Sequence, residues 1–171
     1  PIILKNFLVN QIRLIILNSY DNSERDRYGF LNTQLTWVED LLEKTPSEYS
    51  IFFISHETLL TELDFWSNNI RNGNKLADML NRYNLRTGRI IAFINGHLHG
   101  DYIDRRFSFP IVSIGCNKCE YLTSKKVDVI NTPKRKIGEY TQDLWDVMMF
   151  DKKDKIIRFI RFGAGEDRIV R

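Results

Sequence analysis

Three histidines, His56, His97 and His99, are the only imidazoles in 171 residues, and each follows a short apolar run rich in branched side chains. Ile51-Phe-Phe-Ile54 leads into Ser55-His56-Glu57, and Arg89-Ile-Ile-Ala-Phe-Ile94 leads into Asn95-Gly96-His97-Leu98-His99-Gly100-Asp101. Runs of this kind read as buried strands. In α/β sheets ligands gather beyond the carboxyl ends of strands, where loops leave the rigid sheet. If the two strands are neighbours, their loops share one edge and the imidazoles converge. A neutral imidazole offers one nitrogen to a divalent cation while a polar acceptor orients the other. Asn95 and Asp101 are the candidates for that acceptor. His97 and His99, two apart, would project to one side of an extended backbone, and Gly96 and Gly100 permit close approaches around them. Taken singly, each histidine reads equally well as a polar cap on a strand end. Taken together they point to a metal.

The elements that must position them follow from periodicity. Arg13-Leu-Ile-Ile-Leu17 reads as a buried strand that ends in the turn residues Asn18-Ser19-Tyr20-Asp21. Leu31, Leu35, Val38, Leu41 and Leu42 recur at helical spacing, with Asn32 or Thr33 as N-cap and a stop before Pro46. Leu59, Leu60, Leu63 and Trp66 suggest a second helix. After a turn at Asn72-Gly73-Asn74, Leu76, Met79, Leu80 and Tyr83 mark another short one. Beyond the His-x-His segment the pattern turns to short strands at Tyr102–Phe107 and Ile111–Ile114. Trp145–Phe150 and Ile156–Phe162 then flank the hairpin turn Asp151-Lys-Lys-Asp154. The order is α/β first and antiparallel strands last.

Composition fits one domain over 1–171, since 43% hydrophobic residues can fill a sizeable core. The formal charge of +3 permits an anionic substrate but argues against a nucleic-acid surface. No apolar run approaches the length of a membrane span, and two cysteines cannot frame a disulfide-rich module, so a cytoplasmic location is expected. The lysine-rich, polar stretch 123–140 reads as a mobile surface loop.

Strand–Ser-His56 followed by strand–Gly96-His97-Leu98-His99 resembles the last two signature blocks of calcineurin-like metallophosphoesterases, including the purple acid phosphatase relatives. Ile15-Ile-Leu-Asn18-Ser19 and Gln34-Leu35-x-Trp37 support the resemblance, which spans residues 12 to 162. It implies an α/β fold forming the C-terminal half of a two-sheet sandwich, with a mixed sheet and flanking helices. It also implies two divalent or trivalent metal ions of the Mn, Fe or Zn class at the sandwich edge. His56 and His97 would bind the second metal and His99 the first, with Asn18, Asn95 and Asp101 as supporting or substrate-contacting groups. The family's Asp-x-His, Gly-Asp-x-x-Asp and Gly-Asn-His-Asp/Glu blocks are absent, and no histidine precedes His56. The missing blocks supply the bridging carboxylate and the remaining ligands. The complete protein is therefore expected to hydrolyse phosphate esters, while this chain alone is inactive with partial or no metal occupancy. A lone half would also expose an apolar sheet face, predicting a homodimer or association with an N-terminal half. The alternative is a non-catalytic interaction or structural domain derived from the same fold.

Other constellations carry less. Cys116-Asn-Lys-Cys119 could join His97 and His99 in a small zinc site, but no second pair accompanies it. Ser55 and His56, adjacent on an extended chain, point apart and do not read as nucleophile and base. Lys125 and Pro133–Lys136 read as a solvated loop. Gly163-Ala-Gly165 reads as a chain-terminal turn, and Asn18, Ser19 and Asp21, past the first strand at the same edge, read as ordinary turn chemistry ahead of substrate or supporting contacts.

Overall fold

The computed structural model describes residues 3–7, 10–21, 27–63, 69–117 and 135–171. Branched and aromatic residues place β2 (Ile12–Ile16), β3 (Ser50–Ile54) and β4 (Ile90–Asn95) side by side as parallel strands. β1 (Ile3–Phe7) pairs antiparallel on the β2 edge. β6 (Ile111–Ser113) lies parallel to β4, and β5 (Tyr102–Asp104) closes the far edge antiparallel to β6. The result is a six-stranded mixed sheet in the order β1-β2-β3-β4-β6-β5.

Two helices cover one face. α1 (Asn32–Glu43) follows the predicted stripe and ends at Lys44, before Pro46. Its N-cap is Leu31, which makes no side-chain cap, so neither Asn32 nor Thr33 plays that part. α2 (Gly73–Thr87) is longer than the apolar stripe suggested, because Gly73 and Asn74 begin the helix instead of forming a turn. Asn72 takes the left-handed conformation before it (φ 58°), and Gly88 (φ 61°) closes the helix as a left-handed cap. The expected helix around Leu60 is, within the described residues, a single 3₁₀ turn, Thr61–Leu63. Trp66 lies outside them.

Strand alternation sorts the core. Ile15, Ile51, Phe53, Ile90 and Phe93 face Val38, Leu42, Leu76, Ala77 and Leu80 of the helices. Phe52, Ile94 and Val112 face the other way, onto a second sheet formed by β7 (Leu144–Asp151), β8 (Ile156–Gly163) and β9 (Arg168–Val170). A register shift between Ile51 and Phe52 on β3 lets both Ile91 and Ala92 join that second cluster. Helices, mixed sheet and antiparallel sheet therefore stack as three layers. This is the mixed α/β sandwich with flanking helices that the resemblance implied.

Among the described residues, none covers the outer face of the second sheet. Trp145 pairs across with Phe162 and Val147 with Ile160, and these side chains are 40–51% exposed. Met149 and Ile169 extend the same face at 56% and 51%. Beyond the hairpin, Gly163 (φ 91°) turns so close to Asp143 that a Cβ would lie 2.0 Å from its carbonyl oxygen. Gly163 thus ends β8 and the chain bends at Ala164 and Gly165, where a turn was expected; the turn is not the last element, because Arg168–Val170 follows as a strand. Of the polar stretch 123–140, the described part holds a turn and a 3₁₀ turn at Tyr140–Gln142. Residues 123–134 lie outside the described residues, as does Cys119.

Candidate metal centre

β3 and β4 are hydrogen-bonded neighbours, which meets the condition set in the sequence reading, so the segments leaving their carboxyl ends share one edge. The two segments are stitched together by backbone. The N–H groups of Gly96 and His97 both donate to the His56 carbonyl, at 3.2 and 2.9 Å. The side chains meet as well. His56 Nε2 and His97 Nδ1 are 2.9 Å apart, with ring planes at 81°. His97 is buried and also packs on Tyr28, 4.7 Å between centroids, whereas His56 is exposed.

On the opposite side of the His97 ring lies Glu57. Its Oε2 is 3.5 Å from His97 Nε2, an electrostatic contact longer than a hydrogen bond. Glu57 is fully buried, and its other oxygen accepts the Thr58 N–H at 2.9 Å. Its own N–H donates to Ser19 Oγ at 3.0 Å, which ties the turn after β2 to the site. Ser55 donates its hydroxyl to the Glu57 carbonyl rather than to His56, so no serine nucleophile is activated here. Sequence reading missed Glu57, because a carboxylate beside a histidine in an extended chain points away from it.

His99 lies in the turn that follows, half-buried, with a left-handed backbone (φ 52°). The segment 97–100 is a turn, so the argument that His97 and His99 project to one side of an extended strand does not hold. Among the described residues, no three His, Cys, Asp or Glu side chains gather closely enough to hold an ion. Within the imidazole pair the reason is geometric: Glu57 faces the nitrogen of His97 that points away from His56.

The supporting candidates are placed as follows. Asn18 donates from Nδ2 to the Tyr20 carbonyl at 2.9 Å and exchanges two bonds with Gln34, which is turn chemistry. Asn95 is 2% exposed, and neither its amide oxygen nor its nitrogen has a hydrogen-bond partner. A buried amide left so is uncommon, and it marks a polar requirement at this edge. Asp101 faces two guanidinium groups instead of an imidazole: Arg161 at 2.8 Å and Arg168 at 2.9 Å, with the Gly115 N–H at 2.8 Å. Asp146 completes the ring, 2.7 Å from Arg161 and 2.6 Å from Arg168, and all four side chains are buried. Burial of Arg161 alone would lower its pKa, but Asp146 and Asp101 outweigh that and raise it. Nearby, burial pushes the Tyr102 phenol up to about 12. Thr58, 3.3 Å from the hydroxyl, opposes that shift, as does Asn95 at a geometry short of a hydrogen bond.

A dimetal phosphatase from Danio rerio superposes on 94% of this chain with a TM-score of 0.59, at 11% sequence identity. The likeness is one of fold: the chain matches part of a calcineurin-like phosphoesterase fold. The chain spans 57% of that phosphatase's length, which is little more than half of the phosphoesterase fold it resembles. A structure described as a 5′-nucleotidase from Staphylococcus aureus, in complex with alpha-ketoglutarate, aligns over 99% of this chain and 29% of its own, at 13% identity. Its TM-score of 0.44 is too low to carry an argument. No family model and no curated protein matches the sequence.

Proposed function

We propose that this chain is the C-terminal part of a metal-dependent phosphoric ester hydrolase. The observation that carries the reading is the His56–His97 contact at the carboxyl ends of adjacent parallel strands in a phosphoesterase fold. The two ring nitrogens, 2.9 Å apart as in a hydrogen-bonded imidazole pair, are close enough that both could turn to one ion in place of the shared proton. The buried, unpartnered Asn95 amide fits an edge meant to hold further polar groups. His56 and His97 would hold one ion and His99 would serve a second. When bound, such ions supply Lewis-acid charge to a phosphoryl oxygen and lower the pKa of a coordinated water.

The donor set is incomplete in this chain. Three neutral imidazoles bring no negative charge to offset two cations, and the sequence lacks the bridging carboxylate block. The chain by itself is accordingly inactive, and the missing carboxylates come from an N-terminal half. Hydrolysis of p-nitrophenyl phosphate tests both statements. A longer protein containing this chain should turn over the ester with added Mn²⁺ or Zn²⁺ and lose activity on His97→Ala. The 171-residue chain should show none. Metal-dependent turnover by the short chain, abolished by His97→Ala, would overturn the second statement. A longer protein without activity would favour a non-catalytic docking domain, a reading for which the exposed apolar face of β7 and β8 speaks.

A further inference from the structure

We propose that Asn95, Ser113 and Tyr102 hold an internal water molecule at the carboxyl-end edge of the large sheet, a site independent of the function proposed above. Asn95 is 2% exposed and Ser113 0%. Among the described residues, neither atom of the Asn95 amide nor the Ser113 hydroxyl has a hydrogen-bond partner. The two residues are neighbours. Asn95 pairs in register with Ser113 on β6, and Ser113 pairs with Tyr102 on β5. Residues opposite one another in adjacent strands share a face of the sheet. Phe93 and Ile111, two positions earlier, pack on the helix side, so the three polar side chains rise on that side too.

The donors and acceptors that remain match a water. The Asn95 amide offers two N–H groups and a carbonyl oxygen, and the Ser113 hydroxyl offers one O–H and two lone pairs. Tyr102 donates its proton to Thr58 Oγ1 at 3.3 Å, which leaves its phenol oxygen able to accept. Asn95 stands close enough to that phenol to lower its pKa, yet short of hydrogen-bond geometry. A molecule that accepts from Asn95 Nδ2 and donates to Ser113 Oγ and Tyr102 Oη satisfies all three residues. Buried waters typically make about three such bonds, to polar groups that the protein leaves without partners of their own. Amide, hydroxyl and phenol are all neutral, so they suit a neutral occupant better than an ion. Thr58 belongs to the segment leaving β3, so the cluster around the water ties that segment to the ends of β4, β5 and β6.

A crystal structure of the chain that resolves ordered water tests the site directly. A peak about 2.7–3.2 Å from an Asn95 amide atom and from Ser113 Oγ is expected. An Asn95 amide turned to bond Ser113 or Tyr102 itself, with no such peak, would overturn the proposal. So would a peak ringed by six or more oxygens at metal distances, which would be a cation. In solution, the Asn95 side-chain N–H protons should cross-relax with a water that tumbles with the protein, and Ser113→Ala should weaken that signal. Cross-relaxation of the surface-water sign in the wild type would count equally against the site. Urea unfolding gives a third readout. Asn95→Leu and Ser113→Val together should lower the midpoint by less than the two single losses combined, because each single change strands the other partner of the water. Additive losses would show that the two side chains share no bridging molecule.

Discussion

Arg161 donates to Asp101 at 2.8 Å and so fastens the turn carrying His97 and His99 to the strand β8 of the opposite sheet. The same guanidinium holds Asp146 on β7, and Arg168 on β9 bridges the same two carboxylates from the other side. Two positive and two negative groups alternate around a buried ring, so each charge has two opposite neighbours. This ring, with the Arg168 bond to the Ser113 carbonyl, is a polar link between sheets that also meet through Phe52, Val112, Ile157 and Phe159.

Removing one member leaves an uncompensated buried charge. Arg161→Leu should cost about 3–5 kcal/mol in urea unfolding, with Asp101→Asn somewhat less because the amide still accepts hydrogen bonds. Burial shields the ring from salt, so the loss should be similar at low and high ionic strength. A change below about 1 kcal/mol would show that the ring is not formed in solution.

Alkaline pH probes the same region through Tyr102. Its phenol is raised to about 12 chiefly by burial, so the folded state holds the proton more tightly than the unfolded chain, where tyrosine titrates near 10. The associated stabilisation is complete below about pH 10 and disappears as the pH rises through about 12. A two-unit gap corresponds to about 3 kcal/mol. Ultraviolet titration of the tyrosines should show one late step, absent in Tyr102→Phe. A profile without that late step would mean that the phenol is solvated.

The outer face of the second sheet should make the chain self-associate. Trp145 lies on Phe162 with ring centroids 4.9 Å apart, and Val147, Ile160 and Ile169 continue an apolar surface of the kind that soluble monomers cover. Light scattering should give a mass that rises with protein concentration. Val147→Lys together with Phe162→Lys should restore the monomer with little loss of stability. A wild-type chain that stays monomeric at high concentration would remove the case for a partner on this face.

The parallel core was legible because β3, β4 and β6 are runs of branched and aromatic residues buried on both faces, and β2 carries branched residues on alternately buried and half-buried positions. β1 was not, since all five of its residues are exposed and no alternation marks it. β9 escaped notice for another reason. Arg168 reads as a surface residue and is buried only because Asp101 and Asp146 receive it. The meeting of His56 and His97 followed from two strand ends, which is local information plus one neighbour relation. The role of Asp101 did not follow, because its partner Arg161 lies 60 residues further along the chain. Glu57 could not be found by spacing either; only the bend at Ser55–Glu57 brings its carboxylate to the His97 ring.

The central claim is that His56 and His97 form one half of a metal site, and anomalous scattering from crystals of the chain grown with zinc tests it most directly. The account predicts a peak within ligand distance of both the His56 and the His97 imidazole. Saturating zinc that leaves this point empty, or rings that stand apart on separate surfaces, would contradict it.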